Sequence, residues 1–363
     1  MRETIECIVV GCGGITQDML TEWRKRPQYR TVALVDIHEE ALRATGEEFG
    51  VPEAGRYEDL SVALERCAAP VVMVNTPSHL HYAPTKAALE AGRHVLVAKP
   101  FATEFEQGVE LVRLAEAKGV TLCVAQQTRY RRHYEAVRRF VAAGALGQVE
   151  MVNFLNPKPG TGGDRLLGLE QPALYEMSCH HFDSVAAVLG EPEPEWVIAD
   201  GFQPSWSVYR GPCMVNVMVA YRDGTHLLYQ GGLSSQADCY ELRLEGTKGA
   251  LRCRGIHMSN DTMGYEVAAA RGQWQAAAID AGIPLQDPFL PFFDVWYAYL
   301  QGGPEPPFSG RRNLRVLALV SAAADAVVSG TRVAVASNPR YAVAFGEAAY
   351  EPRAPRSPLG RGA

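Results

Sequence analysis

The first third of the chain alternates short β-branched runs with stretches of helical periodicity. The β-branched runs are IECIVVG at 5–11, TVALVD at 31–36, VVMVNT at 71–76, HVLVAKP at 94–100 and VTLCVAQ at 120–126. Near-continuous apolar strands separated by amphipathic helices are typical of a parallel sheet that is covered on both faces. The alternation therefore predicts a doubly wound α/β domain over residues 1–125.

The pattern changes after residue 125, where turn signals instead of helices join the strand-like runs. Asp223-Gly224 lies between two such runs, and a glycine-containing turn at 246–249 lies between two more. Hairpins of this kind build an antiparallel sheet. Helical periodicity returns at 173–189, 290–300 and 313–328. We expect a second, α+β domain over 126–336 with helices against one sheet face, and a tail at 337–363 that is extended or poorly ordered.

The net charge and the cysteines of the chain indicate which kinds of molecule the protein binds and which compartment it occupies. The 363 residues include 35 Lys and Arg and 41 Asp and Glu, and the net charge of −6 gives no general attraction for nucleic acid or for an anionic membrane surface. No run has the length of a transmembrane helix or of a signal-peptide core. The eight cysteines are scattered without C-x-x-C or zinc-like spacing. We expect reduced thiols, no metal, a cytoplasmic location and a small-molecule partner.

A glycine-rich stretch, GCGGI at 11–15, follows the first predicted strand directly and opens a helix. Thr16 stands in place of the third glycine of the G-x-G-x-x-G fingerprint. Glycines let the backbone turn tightly and approach a pyrophosphate, which then meets the amides of the helix N-terminus. The stretch predicts a dinucleotide site that contains Gly11, Gly13, Gly14 and Ile15.

Asp36 ends the second predicted strand. At that place an acidic side chain can accept hydrogen bonds from the adenosine ribose hydroxyls, although a turn or helix-cap role is the alternative. A carboxylate there repels the 2′-phosphate of NADP, and no arginine follows it closely. The joint occurrence of strand, glycines, helix, strand and acid predicts dinucleotide binding, with NAD favoured over NADP.

The third predicted strand leads into the polar stretch NTPSHLH at 75–81. In a doubly wound sheet the ligand lies beyond the carboxyl ends of the strands. This stretch would then border the nicotinamide half of the cofactor; an ordinary strand-to-helix turn is the alternative. The predicted cofactor contacts here are Asn75, Thr76, Pro77 and His81.

Lys99 ends the next predicted strand and is followed by Pro100, which restricts its backbone to extended conformations. An ammonium group beside a nicotinamide site can donate a hydrogen bond to a substrate oxygen and exchange a proton with it. A lysine that extends along apolar neighbours to solvent is the alternative interpretation. The position beside the predicted cofactor site favours a role in cofactor and substrate binding.

In the second domain, EMSCHHFD at 176–183 has helical spacing. Glu176 and His180 are four residues apart, and His180 and Asp183 are three apart, so all three lie near one another on one helix face. A carboxylate beside an imidazole fixes its tautomer, which is a frequent acid/base arrangement. A solvated face with an ordinary ion pair is the alternative. His181 points away from this face and is expected to be structural.

With these residues collected, the chain resembles the Gfo/Idh/MocA family of oxidoreductases from about residue 4 to 335. The resemblance rests on TPSHLHYAPTKAALEAGRHVLVAKPFA at 76–102, QTRYRRHYEAVRRFVAAGALGQV at 127–149 and EMSCHHFDSVAAVLG at 176–190. It implies an N-terminal Rossmann domain and a C-terminal domain with a large, mostly antiparallel sheet whose open face often serves subunit contact, in a homodimer or homotetramer. It also implies hydride transfer between nicotinamide and a secondary alcohol or ketone of a sugar, cyclitol or related polyol.

The family motifs carry over residue by residue. The lysine of the family's E-K-P motif falls on Lys99, its D-x-x-x-H pair on Glu176 and His180, and the aspartate of its H-x-x-D on Asp183. The resemblance implies that Lys99 is a catalytic residue. We predict that His180 is the preferred acid/base, that Lys99 is an electrostatic stabiliser or proton shuttle, and that Glu176 orients His180. Asp183 would contact substrate or support the helix, and Arg129 would reach towards the cleft as a substrate-binding residue.

Two positions depart from the family pattern. Ala98 stands where the family has a glutamate, which removes a nearby charge that could hold the lysine protonated. Glu176 replaces the usual aspartate, and the extra methylene moves the carboxylate by roughly 1.5 Å. Because both changes concern the proton relay, a lyase or glycosidase that uses tightly held NAD for transient oxidation is the second hypothesis. A non-catalytic NAD-binding regulator is the third.

Overall fold

The computed structural model of the protein describes residues 4–160, 166, 169–256 and 263–346. The strands are β1 (Ile5–Val10), β2 (Tyr29–Val35), β3 (Arg56–Tyr57), β4 (Val71–Val74), β5 (His94–Ala98), β6 (Leu122–Ala125), β7 (Val149–Pro157), β8 (Pro194–Phe202), β9 (Met214–Tyr221), β10 (His226–Gly232), β11 (Tyr240–Gly246), β12 (Gly249–Gly255), β13 (Gly264–Ala269), β14 (Gln275–Ala276) and β15 (Val333–Ala334). The helices are α1 (Gly14–Trp23), α2 (Glu39–Phe49), α3 (Leu60–Arg66), α4 (Tyr82–Glu90), α5 (Phe105–Lys118), α6 (Arg132–Ala142), α7 (Cys179–Leu189), α8 (Phe289–Leu300) and α9 (Gly310–Ser329).

The chain forms two compact units. The first contains the residues up to Gln127 together with Phe289–Leu314, and the second contains Thr128–Pro288 and Arg315–Gly346. The predicted domain boundary after residue 125 is two residues from the division after Gln127. The segment Phe289–Leu314, which the sequence pattern places in the second domain, packs with the first unit.

The first unit is built on a six-stranded parallel sheet in the order β3-β2-β1-β4-β5-β6. Every residue of β4, β5 and β6 is buried, as a sheet with both faces covered requires. This burial is why those strands read as continuous apolar runs instead of alternating ones. The predicted doubly wound parallel sheet is confirmed.

Helix α8 packs against α1 and β2 through aromatic side chains. The rings of Trp23 and Tyr29 stack with centroids 4.0 Å apart, and Trp296 lies 5.8 Å from both. The Tyr29 hydroxyl donates to the Phe293 carbonyl at 2.6 Å. Offset and edge contacts between large rings bury much apolar surface, which explains how a segment so late in the chain joins this unit.

The second unit is built on a nine-stranded sheet in the order β14-β13-β12-β11-β7-β10-β9-β8-β15. The pair β7 and β10 is parallel, and the other neighbours are antiparallel. The two predicted hairpins form as β9–β10 and β11–β12. The expected large, mostly antiparallel sheet is therefore confirmed.

One face of this sheet is covered by α7 and the turn before it. The ring of Phe182 on α7 lies 5.2 Å from that of Tyr229 on β10, and His181 lies 5.0 Å from Phe154 on β7. The opposite face carries a row of apolar side chains, Ile198, Met218 and Leu228, which lie directly opposite one another across β8, β9 and β10. They are 39%, 37% and 48% exposed. Among the described residues of the second unit, helices thus cover one face of the sheet and leave an apolar row open on the other.

The described part of the predicted C-terminal tail packs on α9. Tyr341 is fully buried, and its hydroxyl donates to the Asp325 carboxylate at 2.5 Å. The rest of the predicted tail, residues 347–363, lies outside the described residues.

The described part of the chain contains neither a membrane-spanning helix nor a cluster of metal-ligating side chains. No helix in it combines the length and the apolar character that a membrane span needs. The same residues contain no group of three His, Cys, Asp or Glu side chains arranged to hold a metal ion.

Candidate functional site

The glycine turn connects β1 to α1 in the first unit. Gly11 has a φ of +91°, and a Cβ there would lie 2.8 Å from the main chain of Asn75, so only glycine fits between the two strand ends. A Cβ at Gly13 or Gly14 would meet nothing within 4 Å. Gly13 caps α1 without a side-chain hydrogen bond, which leaves the first amides of the helix facing open space. These features fit a pyrophosphate bound at a helix N-terminus.

Thr16 explains the missing third glycine of the fingerprint. Its side chain is fully buried, and its hydroxyl donates to the Gly11 carbonyl at 2.5 Å. The Thr16 hydroxyl oxygen also accepts a hydrogen bond from Asn75 Nδ2 at 3.0 Å. Thr16 therefore ties the ends of β1 and β4 together, and Asn75, which was predicted to contact the cofactor, is part of this tie.

Asp36 follows β2, and its carboxylate accepts hydrogen bonds from two main-chain amides. Oδ2 accepts from Cys12 N–H in the glycine turn at 2.7 Å, and Oδ1 accepts from His38 N–H at 2.9 Å. The neighbouring side chain, Ile37, is apolar and 79% exposed. The acidic group is thus held at the glycine turn, with an apolar side chain next to it.

The chain after β4 is bonded to the chain after β5 through an imidazole. The His81 ring is 1% exposed, with Nε2 2.6 Å from the Thr76 carbonyl and Nδ1 2.7 Å from the Pro100 carbonyl. Both ring nitrogens therefore face the main chain. Pro77, directly after Thr76, is exposed.

Lys99 comes directly after β5, whose neighbours in the sheet are β4 and β6. Its side chain is half-buried, while Ala98 before it and Pro100 after it are buried. The glycine turn, Thr76 and Lys99 follow the neighbouring parallel strands β1, β4 and β5. The structure thus brings these predicted residues to one edge of the sheet, the edge where doubly wound folds bind ligands.

In the second unit, the residues before α7 form a π-helical turn over Ala173–Ser178. Cys179 N–H donates to the Leu174 carbonyl, five residues back, and the Ser178 hydroxyl donates to the Ala173 carbonyl at 2.9 Å. The sequence pattern predicts a regular α-helix here, and that part of the prediction is wrong. Residues four or five apart share a side of a π turn, so Glu176 and His180 remain on one side.

His180 lies in the first turn of α7 and contacts a hydroxyl. Its Nδ1 is 3.2 Å from Thr128 Oγ1, and Thr128 is buried at 1% exposure. A hydroxyl beside one ring nitrogen influences which nitrogen carries the proton. Sequence reasoning missed Thr128, and its only signal was its place directly before Arg129.

Arg129 is buried between two carboxyl groups. Its Nη2 donates to Glu191 Oε1 at 2.5 Å, and its Nε lies 3.2 Å from Asp183 Oδ2, an ion pair without hydrogen-bond alignment. The side chains of Arg129 and Asp183 are only 3% and 2% exposed. These contacts join the turn before α6 to the middle of α7 and to Glu191 just beyond the end of that helix, and substrate binding by this pair stays a prediction. Sequence reasoning also missed Glu191.

Burial raises the pKa of Asp183 to about 7, against the lowering effect of Arg129 and with a smaller raising effect from Glu191. The physical reason is that the buried Asp183 carboxyl group has little contact with water to stabilise its charge, and Arg129, which also pairs with Glu191, offsets only part of that cost. Glu191 is 35% exposed and keeps contact with water. The group of three is therefore neutral when Asp183 is protonated and negative when it is not.

Both ring nitrogens of His181 form hydrogen bonds inside the second unit. Asn156 Nδ2 donates to its Nε2 at 2.9 Å, and its Nδ1–H then donates to the Tyr229 hydroxyl at 2.7 Å. The ring is 1% exposed. These bonds fix α7 on β7 and β10, which is the structural role expected of His181.

Two family models match the sequence. The model described as an oxidoreductase family with an NAD-binding Rossmann fold matches residues 5–126. The model described as the GFO/IDH/MocA C-terminal domain matches residues 134–252. Together the two matches span most of the chain and correspond to its two sheets.

Individual relatives agree with these matches. A D-apiose dehydrogenase from Paraburkholderia graminis is 27% identical over 336 residues, which cover 86% of this chain and 85% of the relative. A scyllo-inositol 2-dehydrogenase (NADP(+)) from Bacillus subtilis is 29% identical over 146 residues, 39% of this chain and 41% of the relative. The solved structure of an aldose-aldose oxidoreductase from Caulobacter crescentus, complexed with glycerol, has a TM-score of 0.81 at 22% identity and covers 92% of this chain and 100% of that chain. This last match shows a shared fold.

Proposed function

Because the chain belongs to the Gfo/Idh/MocA family of oxidoreductases, we propose that it transfers a hydride between NAD and a secondary alcohol or ketone of a sugar, cyclitol or related polyol. The observation that carries this proposal is the position of Lys99 after β5, on the same sheet edge as the glycine turn. The names of the relatives, a D-apiose dehydrogenase and a scyllo-inositol 2-dehydrogenase, support the substrate class.

The first unit supplies the groups that would hold the cofactor. The main-chain amides from Gly13 to Ile15 would bond the pyrophosphate, and the Asp36 carboxylate would accept hydrogen bonds from the adenosine ribose. Asn75, Thr76 and Pro77 would border the nicotinamide, with the His81 ring bonded to the Thr76 carbonyl behind them. When bound, the dinucleotide supplies the ring carbon that accepts or returns the hydride.

We assign NAD, and not NADP, on the charge of Asp36. The carboxylate is fixed by Cys12 N–H and His38 N–H, so it cannot easily turn away from a 2′-phosphate placed beside the ribose. Two negative groups at such a distance repel each other, whereas ribose hydroxyls donate to the carboxylate.

The proton is handled by His180 and Lys99 in this proposal. For oxidation of an alcohol, His180 takes the hydroxyl proton, and Thr128 Oγ1 beside its Nδ1 helps to orient the ring. The Lys99 ammonium donates a hydrogen bond to the reacting oxygen and stabilises the charge that develops on it. Glu176 orients His180 from the π turn, and the Arg129–Asp183 pair supports α7 and takes part in substrate binding.

We further propose that the protein acts in the cytoplasm as a homodimer or homotetramer. All eight cysteines are thiols, which suits a reducing compartment. The open row of Ile198, Met218 and Leu228 is an apolar surface that a second copy of the chain could cover.

The test is a screen for NAD reduction with sugars, cyclitols and sugar acids, using the wild type, Lys99→Ala and Lys86→Ala. Lys86 is a matched control, because it is a lysine of the same unit that pairs with Glu110 at 2.7 Å, away from the strand ends. We expect turnover with a polyol, a loss of about a hundredfold or more in Lys99→Ala, and no change in Lys86→Ala.

Two other results would overturn the proposal. Cleavage of a glycoside without net NADH would show that the redox step is transient, as in a lyase or glycosidase. NAD binding without turnover on any polyol, unaffected by Lys99→Ala and His180→Ala, would instead show a regulator.

A further inference from the structure

The imidazole of His81 lies between two main-chain carbonyl oxygens. Nε2 is 2.6 Å from the Thr76 oxygen, and Nδ1 is 2.7 Å from the Pro100 oxygen. The residue is 1% exposed, so bulk water does not separate the ring from these oxygens. Both distances are at the short end of the range for nitrogen–oxygen hydrogen bonds.

A carbonyl oxygen can only accept a hydrogen bond, so each ring nitrogen must carry a hydrogen for both contacts to be favourable. A neutral imidazole has one N–H and one lone pair, and its lone pair would face a carbonyl oxygen at 2.6 or 2.7 Å. Only the doubly protonated ring donates to both. We propose that His81 is a buried imidazolium that clamps the chain after β4 to the chain after β5.

The carbonyls offset the cost of burying this charge. Hydrogen bonds from a charged donor are shorter and stronger than neutral ones, and both ring nitrogens make one. The titratable side chains on the segments that carry the contacts are Lys99, directly before Pro100, and the exposed His79; on α4, Lys86 pairs with Glu110. The carbonyls of Thr76 and Pro100 therefore contribute to stabilising the charge on the ring.

The two carbonyls that His81 contacts belong to residues beside the proposed site, and this connects the clamp to the proposed function. Pro100 follows Lys99 directly, and Thr76 belongs to the stretch assigned to the nicotinamide. His81 is therefore a positioning residue that fixes the main chain on both sides, without contact with the reacting atoms. This consequence rests on the proposed function, whereas the charge of the ring does not.

Nuclear magnetic resonance of histidine labelled with ¹⁵N in the ring tests the charge directly. Each of the nine histidines reports whether its nitrogens are protonated, and the His81 signals are identified by their loss in His81→Gln. We expect both His81 nitrogens to be protonated near pH 7.5, a pH at which an ordinary imidazole is mainly neutral. A lone-pair nitrogen on His81 near this pH would overturn the proposal.

If His81→Gln does not fold, neutron diffraction from wild-type crystals gives the same answer. Deuterium on both ring nitrogens supports the clamp, and deuterium on one alone refutes it. Neither measurement depends on turnover, so the charge of His81 can be decided even if the proposed reaction is wrong.

The positioning role is tested by comparing His81→Gln with His226→Gln in the NAD-reduction assay, since His226 is an exposed histidine on β10 of the second sheet. We expect kcat to fall at least about tenfold in His81→Gln, because a shifted Lys99 loses alignment, and to stay unchanged in His226→Gln. If a folded His81→Gln protein keeps the kcat of the wild type, His81 does not position Lys99. The charge of the His81 ring is then decided by the magnetic resonance spectra alone.

Discussion

The Asp36 carboxylate is held by the two amides of Cys12 and His38, one on each oxygen. This bonding fixes the position of the carboxylate at the glycine turn. Ile37 beside it is exposed and apolar. The proposed preference for NAD therefore rests on one side chain, and it can be tested by changing that side chain alone.

Replacing Asp36 by serine is expected to lower the ratio of kcat/KM for NAD to that for NADP by about ten- to a hundredfold. The variant keeps a hydroxyl for the ribose and removes the charge that repels the 2′-phosphate. Steady-state kinetics with both cofactors measure the ratio. Asp18→Ser, at an exposed position on α1, is the control and should leave the ratio unchanged. An unchanged ratio in Asp36→Ser would remove the basis for assigning NAD.

Asp183 illustrates a carboxyl group that holds its proton because it is buried. Its pKa is raised from 3.8 to about 7 by burial, with Arg129 opposing and Glu191 adding to the shift. Between these two values the folded protein binds more protons than the unfolded chain does. The free energy of unfolding must then fall as the pH rises through this window.

Urea unfolding of the wild type and of Asp183→Asn near pH 5 and pH 7.5 measures this effect. The wild type should lose about 2 kcal/mol more than the variant over that interval, since one pKa unit corresponds to about 1.4 kcal/mol. Asp325→Asn removes a surface partner of Arg340 and should retain the pH dependence of the wild type. Equal pH dependence in the wild type and Asp183→Asn would show that Asp183 ionises normally.

At the scale of elements, the glycine turn shows how a departure from a motif can be compensated. A helix that starts with the sequence GIT places Thr16 where the fingerprint has glycine, and the threonine hydroxyl bonds Gly11 and Asn75. A third glycine would pack closely but could make neither bond. The turn is therefore stabilised by a side chain that the fingerprint lacks.

Restoring the fingerprint with Thr16→Gly is expected to destabilise the protein by about 2 kcal/mol. The estimate combines two lost hydrogen bonds at a buried site with the cost of glycine in a helix. Thr16→Ser keeps the hydroxyl and should lose less than half as much. Chemical unfolding compares the three proteins, and equal stability of Thr16→Gly and the wild type would show that the tie contributes nothing.

At the scale of the whole molecule, two sheets of different kinds are each completed by chain segments far apart in sequence. The first unit takes in Phe289–Leu314, and the second takes in Arg315–Gly346, which contributes β15. One face of the second sheet is not covered by the described helices, and on it Met218 lies opposite Leu228 and Ile198. A groove of about 820 Å³ lies on this face and is lined partly by these side chains.

The double variant Met218→Glu with Leu228→Glu is expected to convert the proposed oligomer to a monomer. The two side chains are 37% and 48% exposed, so the chain can fold with charges there, but facing copies would bury them. Light scattering after size exclusion measures the mass, and circular dichroism checks the fold. Leu285→Glu, at a 56% exposed position outside the sheets, is the control. A wild type that is monomeric, or a double variant that still assembles, would contradict the assigned surface.

The amino-acid sequence determined what depends on neighbours along the chain. It predicted the five long strands of the first sheet, the glycine turn, the two hairpins and the family, and the structure and the family models confirm these. Periodicity and turn chemistry are local, so they can be read without knowing where distant segments lie.

Only the tertiary structure decided the features that join distant residues. The parallel pair β7–β10, the return of α8 to the first unit, the Thr128–His180 contact and the buried group formed by Arg129, Asp183 and Glu191 have no local signal. The π turn also departs from the local pattern, because Ser178 bonds both Ala173 and Tyr229, which lies 51 residues away. Which carboxyl groups are buried, and which ring nitrogens meet carbonyls, depends on packing between such segments, and local sequence patterns do not encode it.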